Sequence, residues 1–228
     1  MRVVDATTVF SDAITRNRIA TTEQATYKLF AIRVQCINNR MHTDSEIPRQ
    51  LQLRAKHEIA QYLERIVQHS QFAVTLQTSL RTRNISAKTM QRFTDSARDS
   101  LQRFRLQLNR RLTGNGWLRK PQYTPVFIAS LEGTRNTYDR HRTLHYHALV
   151  GNAPERFDAP ALQSLMSDLW KRTDAGTADV VVRPLLAQRA AGWSQYILKE
   201  QRAGNWECVD FSNAQLPQHL RGGLGSTL

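Results

Sequence analysis

The sequence predicts an α+β fold, with a four-stranded antiparallel sheet in the order βαββαβ behind an N-terminal helical extension. Three observations predict it. Short apolar, β-branched runs recur at Phe72–Leu76, at about 124–132 and 143–150, and at Ala178–Val182, each of strand length. Segments with apolar residues at helical spacing separate the first strand from the second and the third from the fourth. The run Leu144-His145-Tyr146-His147-Ala148-Leu149-Val150 alternates as a half-buried strand does.

Each element has its own local reason. In the first 70 residues, Thr21-Thr22-Glu23-Gln24 has capping-box spacing and opens a stripe of Ala25, Leu29, Ile32 and Cys36. Pro48 suits the first position of a second helix, whose apolar face continues through Ala55, Ile59, Tyr62, Leu63 and Ile66. After the first strand, Ser86 caps a long helix with Met90, Phe93, Ala97, Leu101, Phe104, Leu108 and Leu112 on its inner stripe. Arg92, Arg98, Arg103, Arg105 and Arg110 occupy its other faces, and Gly114-Asn115-Gly116 stops it. Asp158 and Pro160 start a further helix that buries Leu162, Leu165, Met166 and Leu169. A last helix from about 187 carries Tyr196. This order is that of the ferredoxin-like, or RRM-like, palm. The expected organisation is a helical accessory region over 1–70, a core domain over 71–203 and a flexible C-terminal tail over 204–228.

Composition narrows the partners. The formal net charge is +13 with a pI near 10.5, the footprint of a protein that meets a polyanion. Arginine supplies 26 of the 32 basic residues, and its planar fork both grips phosphate and stacks on bases. No apolar run approaches membrane-spanning length and the N-terminus has no signal-peptide core, so a cytoplasmic protein without membrane contact is expected. Cys36 and Cys208 are too few and too far apart for a disulfide framework.

The chemistry-bearing residues cluster in the second half. Strand alternation puts His145 and His147 on one face and Leu144, Tyr146, Ala148 and Val150 on the other. Two imidazoles so spaced can close on one metal ion. Glu132 stands at the end of the apolar run Val126-Phe127-Ile128-Ala129. Its interval to His145 is longer than a tight hairpin needs. On the last helix Arg189, Gly192, Tyr196 and Lys199 share a narrow sector, with Ala190, Trp193 and Ile197 on the adjoining apolar side. Gly192 is a poor helix residue, but it leaves room for a nucleotide backbone. Arg135, Tyr138, Arg140 and Arg142 lie in the segment between the second and third strands, where a basic, aromatic-bearing loop can guide a DNA strand.

His145-Tyr146-His147, a carboxylate one strand earlier in Ser130-Leu131-Glu132-Gly133, and Tyr196-Ile197-Leu198-Lys199 resemble the motifs of HUH-type single-tyrosine endonucleases, the initiators of rolling-circle replication. Phe72-Ala73-Val74-Thr75-Leu76 is similar to the first strand motif of that family. The resemblance covers roughly residues 70–200. It implies Mn²⁺ or Mg²⁺ held by His145, His147 and a third ligand, Glu132 or in its place His141, with Tyr196 as nucleophile and Lys199 assisting it. It also implies DNA contacts from Arg135, Tyr138, Arg140, Arg142 and Arg189. The implied substrate is single-stranded DNA or an origin hairpin of a plasmid or phage-like replicon, cut through a 5′-phosphotyrosine intermediate. No Gly-x-x-x-x-Gly-Lys-Ser/Thr is present, so unwinding would fall to a separate helicase. Two alternatives stand beside this reading. One is a single-strand transposase of the same chemistry, which would work as a dimer. The other is a non-catalytic, RRM-like nucleic-acid-binding module.

Overall fold

The computed structural model describes residues 49–114, 116, 119, 121–134, 143–186, 192, 193, 196 and 208–217. The elements are α1 (Arg49–Gln68), β1 (Phe72–Arg81), α2 (Ala87–Thr113), β2 (Val126–Glu132), β3 (Thr143–Gly151), α3 (Ala159–Trp170) and β4 (Gly176–Pro184). From β1 onward this is the expected βαββαβ order. The sheet runs β2-β3-β1-β4 with every neighbouring pair antiparallel. The fold is therefore α+β with a ferredoxin-like palm. The helix expected over Ala25–Cys36 lies outside the described residues.

Local signals act where they were expected. Ser86 accepts from the Thr89 N–H at 3.2 Å and so satisfies a free donor at the start of α2. Gly114 ends that helix, its N–H donating to Arg110 O. Asp158 caps α3 through the Ala161 N–H at 2.8 Å, with Pro160 in the first turn.

The core lies between one face of the sheet and α2 and α3. Val74 and Leu76 on β1, Phe127, Ala129 and Leu131 on β2, and Leu144, Tyr146, Ala148 and Val150 on β3 all belong to it. From the helices come Leu101, Phe104, Leu108, Leu162, Met166 and Trp170. Phe104 meets Trp170 edge-on at 5.5 Å, and the Trp170 indole N–H donates to Gln77 O at 2.6 Å. Such a ring is stable in the interior only because its polar edge has an acceptor. The same alternation that fills this core turns His145 and His147 to the opposite face. On α1 the stripe Ile59, Tyr62, Leu63, Ile66 and Val67 is buried as well.

Both edges of the sheet are occupied. Part of the segment expected to be a flexible tail, Cys208–Pro217, runs along β2. Leu131 N–H donates to Cys208 O at 2.7 Å and Asp210 N–H to Ala129 O at 2.9 Å; Phe127 and Gln215 exchange bonds of 2.9 and 2.7 Å. The Gln215 side chain is held by Arg105, Asn109 and Pro125 O, all at 2.7–3.0 Å. These residues are therefore docked, and the tail expectation is corrected for them; 218–228 lie outside the described residues. On the other edge, Gln163 accepts from the Val182 N–H at 3.0 Å and Ser167 donates to Ala178 O at 2.7 Å. Side chains of α3 thus take backbone groups that would otherwise invite a further strand. One compact unit, Pro48–Gln218, takes in α1, the sheet and the docked segment.

Gly151 ends β3 where the chain leaving α1 crosses it. A Cβ there would lie 2.0 Å from His69 O and 2.9 Å from Ser70 Cα, both backbone. Backbone cannot swing away as a side-chain tip can. Gly151→Ala is expected to destabilise the protein by about 1–3 kcal/mol, read as a lower urea midpoint. An unchanged midpoint would mean that this close approach does not form.

Candidate metal centre and tyrosine site

Strand register builds the site from three rows on the sheet face opposite the core. Glu132 pairs with His145, which pairs with Gln77. One row over, Ser130, His147, Thr75 and Val181 stand side by side. In the next row come Ile128, Leu149, Ala73 and Arg183. Gly133 follows Glu132 at φ +85°, and a Cβ there would meet Thr143 O at 2.8 Å. Only glycine suits that turn beside the start of β3, and the turn leaves Glu132 in register with His145.

Glu132, His145 and His147 have relative exposures of 0%, 2% and 5%. One carboxylate oxygen, Oε2, lies 3.2 Å from His145 Nε2 and 3.3 Å from His147 Nε2. The ligand atoms of all three residues fall within 4.8 Å of one another. His145 Nδ1 stands 3.4 Å from Thr143 O. A carbonyl only accepts, so a neutral His145 ring that donates there from Nδ1 would turn the lone pair of Nε2 towards Glu132. Facing lone pairs inside a protein are costly, and a proton or a metal ion between or beside them relieves that cost. The two carboxylate–imidazole distances suit a metal ion. Donors about 2.1 Å from a metal ion, at angles of about 90–110°, lie roughly 3.0–3.4 Å apart. The buried Glu132-His145-His147 group can hold a metal ion.

Thr75 orients the second imidazole, its Oγ1 lying 3.1 Å from His147 Nδ1. Such outer partners fix the tautomer and aim of a ligand. Thr75→Val keeps the shape and deletes this bond. Its affinity for Mn²⁺, measured by titration calorimetry, is expected to fall about 10–100-fold; wild-type affinity would remove Thr75 from the site.

Tyr196 reaches the same point from the far end of the chain. Its Oη lies 3.2 Å from His147 Nε2, and its ring meets the His147 ring at 4.7 Å and 74°. Trp193 lies 5.4 Å from Tyr196 and 6.3 Å from His147, which holds the tyrosine between two rings. Gly192, Trp193 and Tyr196 are helical, as their spacing predicts. Tyr196 remains 40% exposed, so part of this side chain meets solvent.

Of the residues singled out in the sequence, Glu132, His145, His147 and Tyr196 are brought together. Glu132, one of the two candidate third ligands, lies beside the histidines. His141, Arg135, Tyr138, Arg140, Arg142, Arg189 and Lys199 lie outside the described residues. Sequence reasoning did not reach the β4 side of the site. There Val181 and Arg183, with Ala73 and Thr75 of β1, line a cleft of about 540 Å³ that His147, Gly192, Trp193 and Tyr196 complete. Arg183 is one of many arginines, and only the register places it there. Among the described residues no helix is long and apolar enough to cross a membrane.

No protein-family model, curated protein or solved structure matches the chain.

Proposed function

We propose that this chain is a metal-dependent endonuclease for single-stranded DNA, of the HUH type, that cuts and rejoins through Tyr196. The observation that carries the reading is the 3.2 Å approach of Tyr196 Oη to His147 Nε2, an atom of the Glu132-His145-His147 group. A nucleophile and a possible cation site thus share one atom's neighbourhood. The net charge of +13 supports a nucleic-acid partner.

A phosphodiester resists attack because its anionic oxygens repel nucleophiles. A divalent ion, Mn²⁺ or Mg²⁺, would neutralise that charge when held by Glu132, His145 and His147. The chain's own residues do the rest. Tyr196 Oη attacks phosphorus and loses its proton, the bond from phosphorus to the 3′ oxygen breaks, and that oxygen takes up a proton as a 3′-OH. One P–O bond replaces another, so the 5′-phosphotyrosine keeps the energy needed for rejoining. Trp193 and His147 hold the phenol ring in line. Lys199, three residues on, is assigned the phosphate or the phenolate as its contact. Arg135, Tyr138, Arg140, Arg142 and Arg189 are assigned to the DNA strand.

The biological setting that fits this chemistry is initiation of rolling-circle replication of a plasmid or phage-like replicon in the cytoplasm, with a separate helicase for unwinding. The deciding experiment is intact mass spectrometry after incubation with a randomised single-stranded DNA pool and Mn²⁺. A nucleotide adduct that is absent in chelator is expected. No adduct, even with the replicon's own origin as substrate, would sink the proposal and leave an RRM-like binding module.

A further inference from the structure

The cleft beside Tyr196 is more than the approach to a nucleophile. β1 contributes to it two small residues, Ala73 and Thr75, which pair with Arg183 and Val181 of β4. Val181 on β4 is 38% exposed, an apolar side chain left open on the cleft wall. Trp193 and Arg183 line the same cleft, the one with an aromatic ring and the other with a positive charge. The volume, about 540 Å³, is that of a site for one small ligand.

Gly192 is the second clue. It is helical, where glycine is less favourable than alanine. Yet among the described residues, its chain neighbours and its own helix backbone apart, no atom lies within 4 Å of the position a Cβ would take. No described neighbour therefore requires a bare backbone at 192, whereas a ligand lying in the cleft would.

We propose that this cleft seats one unstacked nucleobase of the single strand, stacked against Trp193 and Val181 and passing over Gly192, with Arg183 on the adjoining phosphate. The inference rests on the reading of single-stranded DNA as substrate. Aromatic and apolar walls suit the faces of a base, and a guanidinium suits the phosphate beside it. Such a pocket makes the enzyme read the nucleotide next to the scissile bond.

The test is fluorescence anisotropy with the full chain in chelator, so that binding is read without cleavage. The probes are a labelled thymidine dodecamer and an abasic dodecamer of the same backbone. The wild type is expected to bind the thymidine strand at least about fivefold more tightly. Gly192→Leu should abolish that preference with an unchanged or higher melting temperature. Gly192→Ala should lose part of it, also without loss of stability. Equal wild-type affinity for the two strands, or full preference in both variants, would overturn the pocket. The two proposals fail separately. A covalent adduct with no base preference leaves the endonuclease and removes the pocket. Base preference with no adduct removes the endonuclease and leaves the pocket.

Discussion

Tyr196→Phe is expected to abolish covalent attachment to DNA while leaving the fold and DNA binding intact. The substitution removes one atom. The ring that packs at 4.7 Å from His147 and 5.4 Å from Trp193 stays, so the helix has no reason to move. What is lost is Oη, the atom 3.2 Å from His147 Nε2. Deleting a nucleophile commonly costs at least about a thousandfold in rate, and adduct yield in intact mass spectrometry should fall by that order. Affinity for single-stranded DNA should change no more than about fivefold, since a single neutral hydrogen bond is worth roughly 1 kcal/mol in net terms. An adduct of undiminished yield would place the nucleophile on another residue. A large drop in affinity with no change in the yield per bound strand would make Tyr196 a binding residue.

The part of this site legible in the sequence is the part that periodicity controls. Alternation along β3 requires His145 and His147 to share a face once Leu144 and Tyr146 are in the core, and they do. Helical spacing put Trp193 next to Tyr196 in the same way. Glu132 was harder, because an interval in sequence does not reveal register. The antiparallel pairing of Glu132 with His145 depends on how β2 and β3 slide past each other. The docked segment at Cys208–Pro217 was invisible for a different reason. Its attachment to β2 is through backbone groups, which every sequence has, and through the amide of Gln215. No apolar run announces it. The cleft was likewise unreadable, since it is lined by Ala73 and Thr75 of one strand beside Arg183 and Val181 of another, a relation across strands.

Glu132→Gln separates the metal from the fold. The amide has the same shape as the carboxylate but no charge, and its NH₂ can donate to the imidazole nitrogen that Oε2 now faces at 3.2 Å. Without metal, the variant should therefore melt at the same temperature as the wild type or higher. With metal the order reverses. At a Mn²⁺ concentration about 100 times its dissociation constant, binding stabilises the wild type by about 2.7 kcal/mol. For a unit of this size that is a rise of about 5–10 °C in melting temperature. The variant keeps two imidazoles and loses the one anionic ligand, so its rise should vanish at the same Mn²⁺ concentration, and metal-dependent nicking should fall at least about a hundredfold. His147→Ala should match that loss of nicking. It also removes the partner of the Tyr196 hydroxyl, which makes Glu132→Gln the cleaner variant. If Mn²⁺ raised the melting temperature of Glu132→Gln and wild type equally, the ion would bind elsewhere, and Glu132 would be a buried hydrogen-bond acceptor for two histidines.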